Sequence, residues 1–263
     1  HLHYTIAGPA DGALAVGEGE GPGRMIEPWQ IEEHIGRALE ASGPLIGRKV
    51  LVTAGPTREP LDPVRYLGNR SSGRMGYAIA QAAWRRGAHV TLVSGPSSLA
   101  PPEGVDFVPV ETAMQMREAV LGLVANTDVN VFSAAVADFR PSDPHATKVK
   151  RADAGGEMIV TLEANPDIAA DTVLVRKSGS LSVGFALETN DLISNAAKKL
   201  VSKQFDLLVA NDATEPGAGF EVSTNKVTIL STDGEPEELP LMTKDAVAEE
   251  LLDRVCAHLA RRS

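Results

Sequence analysis

The chain has 263 residues, 43% of them apolar, with 25 Lys and Arg against 35 Asp and Glu and a formal net charge of −10. That suits one large α/β domain or two small ones with a packed core, argues against a general nucleic-acid binder, and leaves no apolar run near the ~20 residues of a membrane span. The lone cysteine, Cys256, excludes an internal disulfide and fits a reducing cytoplasm.

The chain opens at His1 without a methionine, which points to a piece of a longer protein. Residues 1–34 are glycine-rich. Residues 28–41 carry apolar side chains at Trp29, Ile31, Ile35, Ala38 and Leu39 and predict a short helix, with Pro28 in its first turn. His34 on that helix is expected at the surface, since no second metal ligand lies near it in sequence. Ser42-Gly43-Pro44 breaks the helix and marks a linker, so the expected units are 1–44 and 45–263.

From Lys49 onward strands and helices alternate. Strand 49–54 precedes helix 73–86, strand 88–94, short strand 105–110, helix 112–124 and strand 129–135. Strand 158–163, helix 166–175, strand 181–186, helix 190–202 and strand 206–210 follow. The alternation predicts an α/β fold, a Rossmann-like three-layer sandwich whose mainly parallel sheet carries helices on both faces. Residues 226–242 read instead as a β-hairpin turning at Asp233-Gly234. The last helix, 243–261, bears an apolar stripe of Val247, Leu251, Leu252, Val255 and Leu259, beside which Cys256 is expected to be a small core residue.

The most informative stretch is TAGPTREPLDPVRYLGNRSSGRMG, residues 53–76, with prolines at 56, 60 and 63 and arginines at 58, 65, 70 and 74. A dinucleotide fingerprint needs G-x-G-x-x-G with a helix opening at once against a pyrophosphate. Here Pro56 and Pro60 restrict the backbone where that helix would begin, and the G-x-x-x-x-G-K-[ST] phosphate loop is absent as well. Ser71, Ser72 and Gly73 precede a predicted helix whose first N–H groups would face an anion. Basic residues gather in three islands, Arg65–Arg74, Lys148–Arg151 and Lys198–Lys203. Lys199 and Lys203, four apart on one helix, can point at one ligand. The six histidines are scattered and no Cys–His cluster could hold zinc or iron.

Further motifs follow in order: Ala134-Ala135-Val136-Ala137-Asp138, Lys148-Val149-Lys150-Arg151, Asn165-Pro166-Asp167-Ile168, Gly184-Phe185-Ala186-Leu187-Glu188-Thr189, Ala210-Asn211-Asp212 and Gly219-Phe220. With the 53–76 loop, this series resembles phosphopantothenoylcysteine synthetase, the ligase half of the bacterial bifunctional coenzyme A biosynthesis protein, over residues 47–260. Residues 14–28 are similar to the end of the other half, a flavin-dependent decarboxylase. Val16 stands where that family carries a catalytic cysteine, so the segment is expected to be inert, with FMN belonging to a decarboxylase body absent here.

The resemblance implies joining of 4′-phosphopantothenate to L-cysteine with CTP as co-substrate and Mg²⁺ or Mn²⁺ held mainly by the triphosphate. An acyl-cytidylate would form first, and the cysteine amine would then displace CMP. It implies catalytic roles for Asn69, at the acyl-cytidylate, and for Lys148, at the triphosphate. Nucleotide contacts are implied for Phe132, Ser133, Ala134 and Asp138, for Pro166, Asp167, Ile168 and Ala169, and for Phe185, Lys199 and Lys203. Gly55, Arg65, Ser71, Ser72 and Gly73 would form the phosphate and substrate loop, with Arg140, Glu188 and Asn211 in support. A homodimer paired through the 226–242 hairpin is also implied, as a higher oligomer with the full decarboxylase. The alternation alone would equally permit an NAD(P)-linked oxidoreductase or a non-catalytic nucleotide-binding module; the missing fingerprint speaks against the first and intact Asn69 and Lys148 against the second.

Overall fold

The computed structural model describes residues 4–262 apart from 16, 41–42, 151–156, 189–190, 213–216, 218 and 220–221. Val16, Arg151, Thr189 and Phe220 of the motifs above lie outside the described residues. Strands β1 (Ala10–Ala13) and β2 (Glu20–Arg24) pair antiparallel. Helix α1 (Pro28–Leu39) follows with a reciprocal Glu27–Gln30 capping box. It docks on the main body, where the Arg37 guanidinium lies 4.7 Å from the Trp84 ring centre and donates to the Ala88 carbonyl at 3.2 Å. His34 is half-buried rather than at the surface, edge-on to Trp84 and 3.2 Å from Glu103.

The main sheet begins with β3 (Lys49–Ala54), whose apolar run is buried on both faces: Val50, Val52 and Ala54 join one core and Leu51 the other. This period-two division is what a covered parallel strand requires. After β3 come the short antiparallel pair β4 (Arg58–Pro60) and β5 (Tyr66–Gly68), then α2 (Arg74–Arg85), β6 (His89–Ser94), β7 (Asp106–Pro109), α3 (Ala113–Leu123) and β8 (Val129–Phe132). Strands β9 (Phe139–Pro141) and β10 (Leu162–Ala164) pair antiparallel apart from the main sheet. The chain continues through α4 (Ile168–Thr172), β11 (Leu181–Glu188), α5 (Leu192–Ser202), β12 (Leu207–Asp212), β13 (Thr224–Asn225), β14 (Val227–Ser231), β15 (Glu237–Glu238), β16 (Met242–Thr243) and α6 (Lys244–Arg262).

The eight-stranded sheet runs β15-β14-β12-β11-β8-β3-β6-β7. The six strands from β12 to β7 are parallel, and β14 and β15 add antiparallel at one end. Helices α2 and α6 pack on one face, while α3 and α5 cover the other. Cys256 is partly buried against the first of these cores.

The strand expected over 129–135 ends at Phe132, and three further expectations change. Residues 158–161 are not a strand, and β10 pairs with β9 rather than entering the main sheet. Its partner offers only three residues, and after Ser142 N–H donates to the Thr161 carbonyl at 3.0 Å no further strand pairing follows among the described residues. The helix expected over 166–175 shortens to Ile168–Thr172. Arg176 closes it by donating to the Ala169 carbonyl (2.8 Å) and the Thr172 hydroxyl (2.9 Å), groups at the helix end. The 226–242 hairpin is not a free extension. Strand β14 pairs with β12 over Leu207–Asn211, so the hairpin continues the main sheet, and the outer strand is two residues long and carries Glu237 and Glu238. A short, charged edge of this kind resists further strand addition.

Candidate active site

In chain order the six parallel strands lie 3-2-1-4-5-6 across the sheet, so the order reverses between β3 and β8. The loops leaving those two strands diverge to opposite sides and open a crevice at their carboxyl ends. A cleft of about 440 Å³ occupies that place.

The first wall is the loop after β3 and the start of α2. Gly73 holds φ +80°, and a Cβ on it would sit 3.1 Å from the Gly55 Cα, so the two glycines let the helix start lie against the strand end. The Ser71 and Ser72 hydroxyls accept from the Gly73 and Arg74 N–H groups at 3.2 and 3.4 Å. Met75 and Gly76, next in the helix, also line the cleft, and first-turn amides have no acceptor within their own helix.

The second wall is the segment after β8, sewn to β3 across the switch. Ser133 Oγ donates to the Thr53 carbonyl at 2.6 Å, and the Ala134 and Ala137 N–H groups donate to the Thr53 and Thr57 hydroxyls. Asn69 spans the same gap, its Nδ2 3.0 Å from the Ala135 carbonyl and 3.1 Å from that of Val136. Both neighbours are acceptors, so the amide nitrogen must face them and Oδ1 is the side-chain atom left over. Asp138 is exposed at the rim. Asn165 ties the next segment down by donating to the Ala137 carbonyl at 2.8 Å, and Arg140 reaches Asn165 Oδ1 at 3.0 Å.

Pro166, Asp167, Ile168 and Ala169 form the third wall with Phe132, Phe185, Lys199 and Lys203. Asp167 caps α4 through the Ala170 N–H (3.1 Å) and pairs with Lys203 at 2.9 Å. Burial alone would raise this carboxyl, but the lysine and the capped N–H groups outweigh it and hold it below the ordinary carboxylate range. Lys199 pairs with Glu188 at 2.7 Å. Phe132 and Phe205 stand 5.8 Å apart with Arg176 stacked over both rings, a firm apolar floor able to take a planar base.

The fourth wall was foreseen only in part, through Asn211 and the Gly219 motif. It brings Asn211 together with Gly219, Asn225 and Lys244 from the β13–β16 region and the start of α6. Arg74 was foreseen only as part of a basic island. No local motif marks Asn225 or Lys244, which meet the site only because β13 pairs with β16 beside it.

Gly55, Arg65 and Lys148 are not among the residues that line the cleft. Gly55 lies under the helix start. Arg65 binds Asp62 through Nε at 3.0 Å and the Val149 carbonyl at 2.8 Å. The Arg65 guanidinium, with the Val64, Arg65 and Val149 N–H groups, holds the Asp62 carboxyl well below the usual range. That carboxylate fixes the backbone beside Lys148, whose side chain stays exposed. Among the described residues no three His, Cys, Asp or Glu side chains converge on a metal position, and no helix is long and apolar enough to cross a membrane.

The family model for the DNA/pantothenate metabolism flavoprotein C-terminal domain matches residues 45–259. A coenzyme A biosynthesis bifunctional protein CoaBC from Bacillus subtilis (strain 168) is 46% identical over 259 residues, 97% of this chain and 62% of its own length. The chain thus spans about three fifths of this curated relative. The crystal structure of the C-terminal domain of a CoaBC protein is 42% identical with a TM-score of 0.71, covering 84% of this chain and all of that one. A Cab2 mutant in complex with phosphopantothenate-cysteine shares the fold at 18% identity and a TM-score of 0.67, over 88% of this chain and 92% of its own. A sheet reversing between β3 and β8, the loop wrapped around that point and these matches agree: the chain belongs to the DNA/pantothenate metabolism flavoprotein C-terminal domain family, represented by the C-terminal domain of CoaBC.

Proposed function

We propose that the chain ligates 4′-phosphopantothenate to L-cysteine at the expense of CTP, in the cytoplasm, as a step of coenzyme A biosynthesis. The observation that carries the reading is the cleft at the strand reversal, where an aromatic floor, two lysines and a helix start converge. A phosphopantothenate carboxylate oxygen attacks the α-phosphorus of CTP, the bond to the β-phosphate oxygen breaks, and pyrophosphate leaves. The cysteine amine then attacks the acyl carbon, the acyl–oxygen bond breaks, CMP leaves, and the amine nitrogen loses a proton. Phe185 and the Phe132–Phe205 pair support the base; Ser71, Ser72 and the start of α2 receive phosphates; Lys199 and Lys203 act beside them. No three His, Cys, Asp or Glu side chains converge among the described residues; a divalent cation held by the nucleotide would supply charge neutralisation of the triphosphate, with Lys199 and Lys203 beside it. Incubation with CTP, Mg²⁺, phosphopantothenate and cysteine, quenched and read by mass spectrometry, should yield amide, CMP and pyrophosphate in equal amounts. No amide under saturating substrates would end this reading.

We assign residues 1–44 to the end of a decarboxylase unit and 45–263 to the ligase, with FMN confined to the decarboxylase body of the longer relatives. No carbon dioxide release from 4′-phosphopantothenoylcysteine is therefore expected from this chain, even with added FMN; measurable release would contradict the division.

The functional unit is taken to be a homodimer, paired through the small strands rather than the 226–242 hairpin. Val64, Tyr66, Phe139, Ile159 and Leu162, on or beside β5, β9 and β10, are all exposed, Ile159 to 91%, an apolar group that association would cover. Light scattering at micromolar concentration should give twice the 27.7 kDa chain mass, and Ile159→Glu should shift it toward monomer. A wild-type monomer would refute the pairing.

A further inference from the structure

The cations of the cleft differ in one respect. Lys199 and Lys203 each have a carboxylate partner, Glu188 and Asp167. Lys244 is only 4% exposed, and its Nζ has one partner among the described residues, the Gly219 carbonyl at 2.9 Å. An ammonium carries three donors, and burying it without a counter-charge is unfavourable. Burial, with Arg74 nearby, pushes its pKa below the ordinary lysine value, as expected for a positive charge that lacks an anion.

Asn225 repeats the pattern. It is 3% exposed, and its Oδ1 accepts from the Gly219 and Lys226 N–H groups at 3.3 and 3.1 Å. The oxygen is thereby committed, and the amide nitrogen has no partner among the described residues. Both side chains line the cleft with Arg74, the first residue of α2, directly after Ser71-Ser72-Gly73. Lys244 begins α6, which packs against α2 on the same face of the sheet; Lys199 lies in α5 and Lys203 caps its end, on the opposite face. One side of the cleft thus sets the buried Lys244 ammonium and Asn225 amide beside the exposed Arg74, with no carboxylate partner for either cation among the described residues, next to the helix start.

We propose that Lys244, assisted by Asn225 and Arg74, binds the pyrophosphate portion of the nucleotide, the part that carries most of its charge and departs in the first step. The assignment rests on the nucleotidyl-transfer reading above and adds the group that receives the leaving pyrophosphate. The bond to Gly219 keeps the ammonium in place before the nucleotide enters, so little reorganisation is needed when charge arrives.

Affinities for inorganic pyrophosphate and for CMP, measured separately by calorimetry on the full chain, test this. Lys244→Met removes the charge, whereas Lys244→Gln removes the charge but keeps a donor for the Gly219 carbonyl. Both variants should weaken pyrophosphate binding roughly tenfold or more, the loss typical of one charge-assisted hydrogen bond, with CMP affinity within about twofold of wild type. Should Lys244→Met fail to fold, Lys244→Gln decides alone. Unchanged pyrophosphate affinity in Lys244→Gln, or equal loss for both ligands, would assign Lys244 to holding the Gly219 turn and overturn the proposal. Wild-type protein that binds neither ligand would remove the nucleotide reading itself, and this inference with it; wild-type binding with unaffected variants removes only the inference.

Discussion

Lys148→Gln is expected to stop the first half-reaction, with pyrophosphate release falling by about 10²–10³ and no acyl-cytidylate accumulating. Attack on the α-phosphorus adds negative charge to a chain already carrying several, and glutamine supplies a donor but no positive charge there. The structure sharpens the expectation. Lys148 is exposed and outside the cleft lining, yet the next residue is fixed at both backbone groups, Val149 N–H on Asp62 at 3.2 Å and its carbonyl on Arg65 at 2.8 Å. The backbone beside Lys148 is tethered while its long side chain remains free to reach for a ligand. Because the cleft walls do not include it, nucleotide binding should fall much less than turnover. Rapid-quench analysis reporting pyrophosphate and acyl-cytidylate separately, beside direct CTP binding, checks this. Normal pyrophosphate release in the variant would remove Lys148 from the reaction.

Asn69→Asp should have the second largest effect, for a reason the sequence alone did not supply. The motif suggests an amide that donates to the acyl-cytidylate, but in the structure its nitrogen serves the Ala135 and Val136 carbonyls. Aspartate at neutral pH places a carboxylate against two carbonyl oxygens at about the same separation, losing both hydrogen bonds and adding repulsion. The loop after β3 and the segment after β8 would separate across the strand reversal, where a displacement of about 1 Å can cost on the order of 10² in rate. Amide formation should therefore fall by about 10²–10³, more steeply than CTP affinity. Single-turnover measurement of acyl-cytidylate decay with cysteine, set beside CTP binding, separates the two effects. Decay and overall turnover at wild-type rates would leave Asn69 a turn residue without a part in the chemistry.

Much of the frame could be read directly from the chain because its signals are local. Strand β3 shows as a short β-branched run, α2 as a helix after Ser-Ser-Gly, and β6, β11, α5 and β12 by their alternation; each lies within two residues of its expected bounds. The loops after β3 and β8 leave neighbouring parallel strands, whose carboxyl ends a parallel α/β sheet gathers on one side, and Phe185 lies on the parallel strand β11. Ser71–Gly73, Phe132–Ala134 and Phe185 therefore reach one cleft without any one motif encoding the others, and Pro166–Ala169 join them from the turn after β10 and the start of α4.

What only the tertiary structure decided depends on contacts between residues far apart in sequence. The pattern around Asp233-Gly234 announces a hairpin but not its neighbour; pairing of β14 with β12 made it part of the sheet. Residues 158–161 have strand-like composition, but the segment opposite them forms only a three-residue strand, and the pairing stops with it. Spacing on α5 shows that Lys199 and Lys203 share a face, not that Glu188 and Asp167 already neutralise them. Lys244 follows a two-residue strand and carries no motif, so in the sequence it is one lysine at a helix start. Burial without a carboxylate distinguishes it, and burial is fixed by the packing of α6 on α2 and of β13 on β16. Periodicity reports which face of an element turns inward; the electrostatic state of a side chain depends on which distant groups the fold brings beside it.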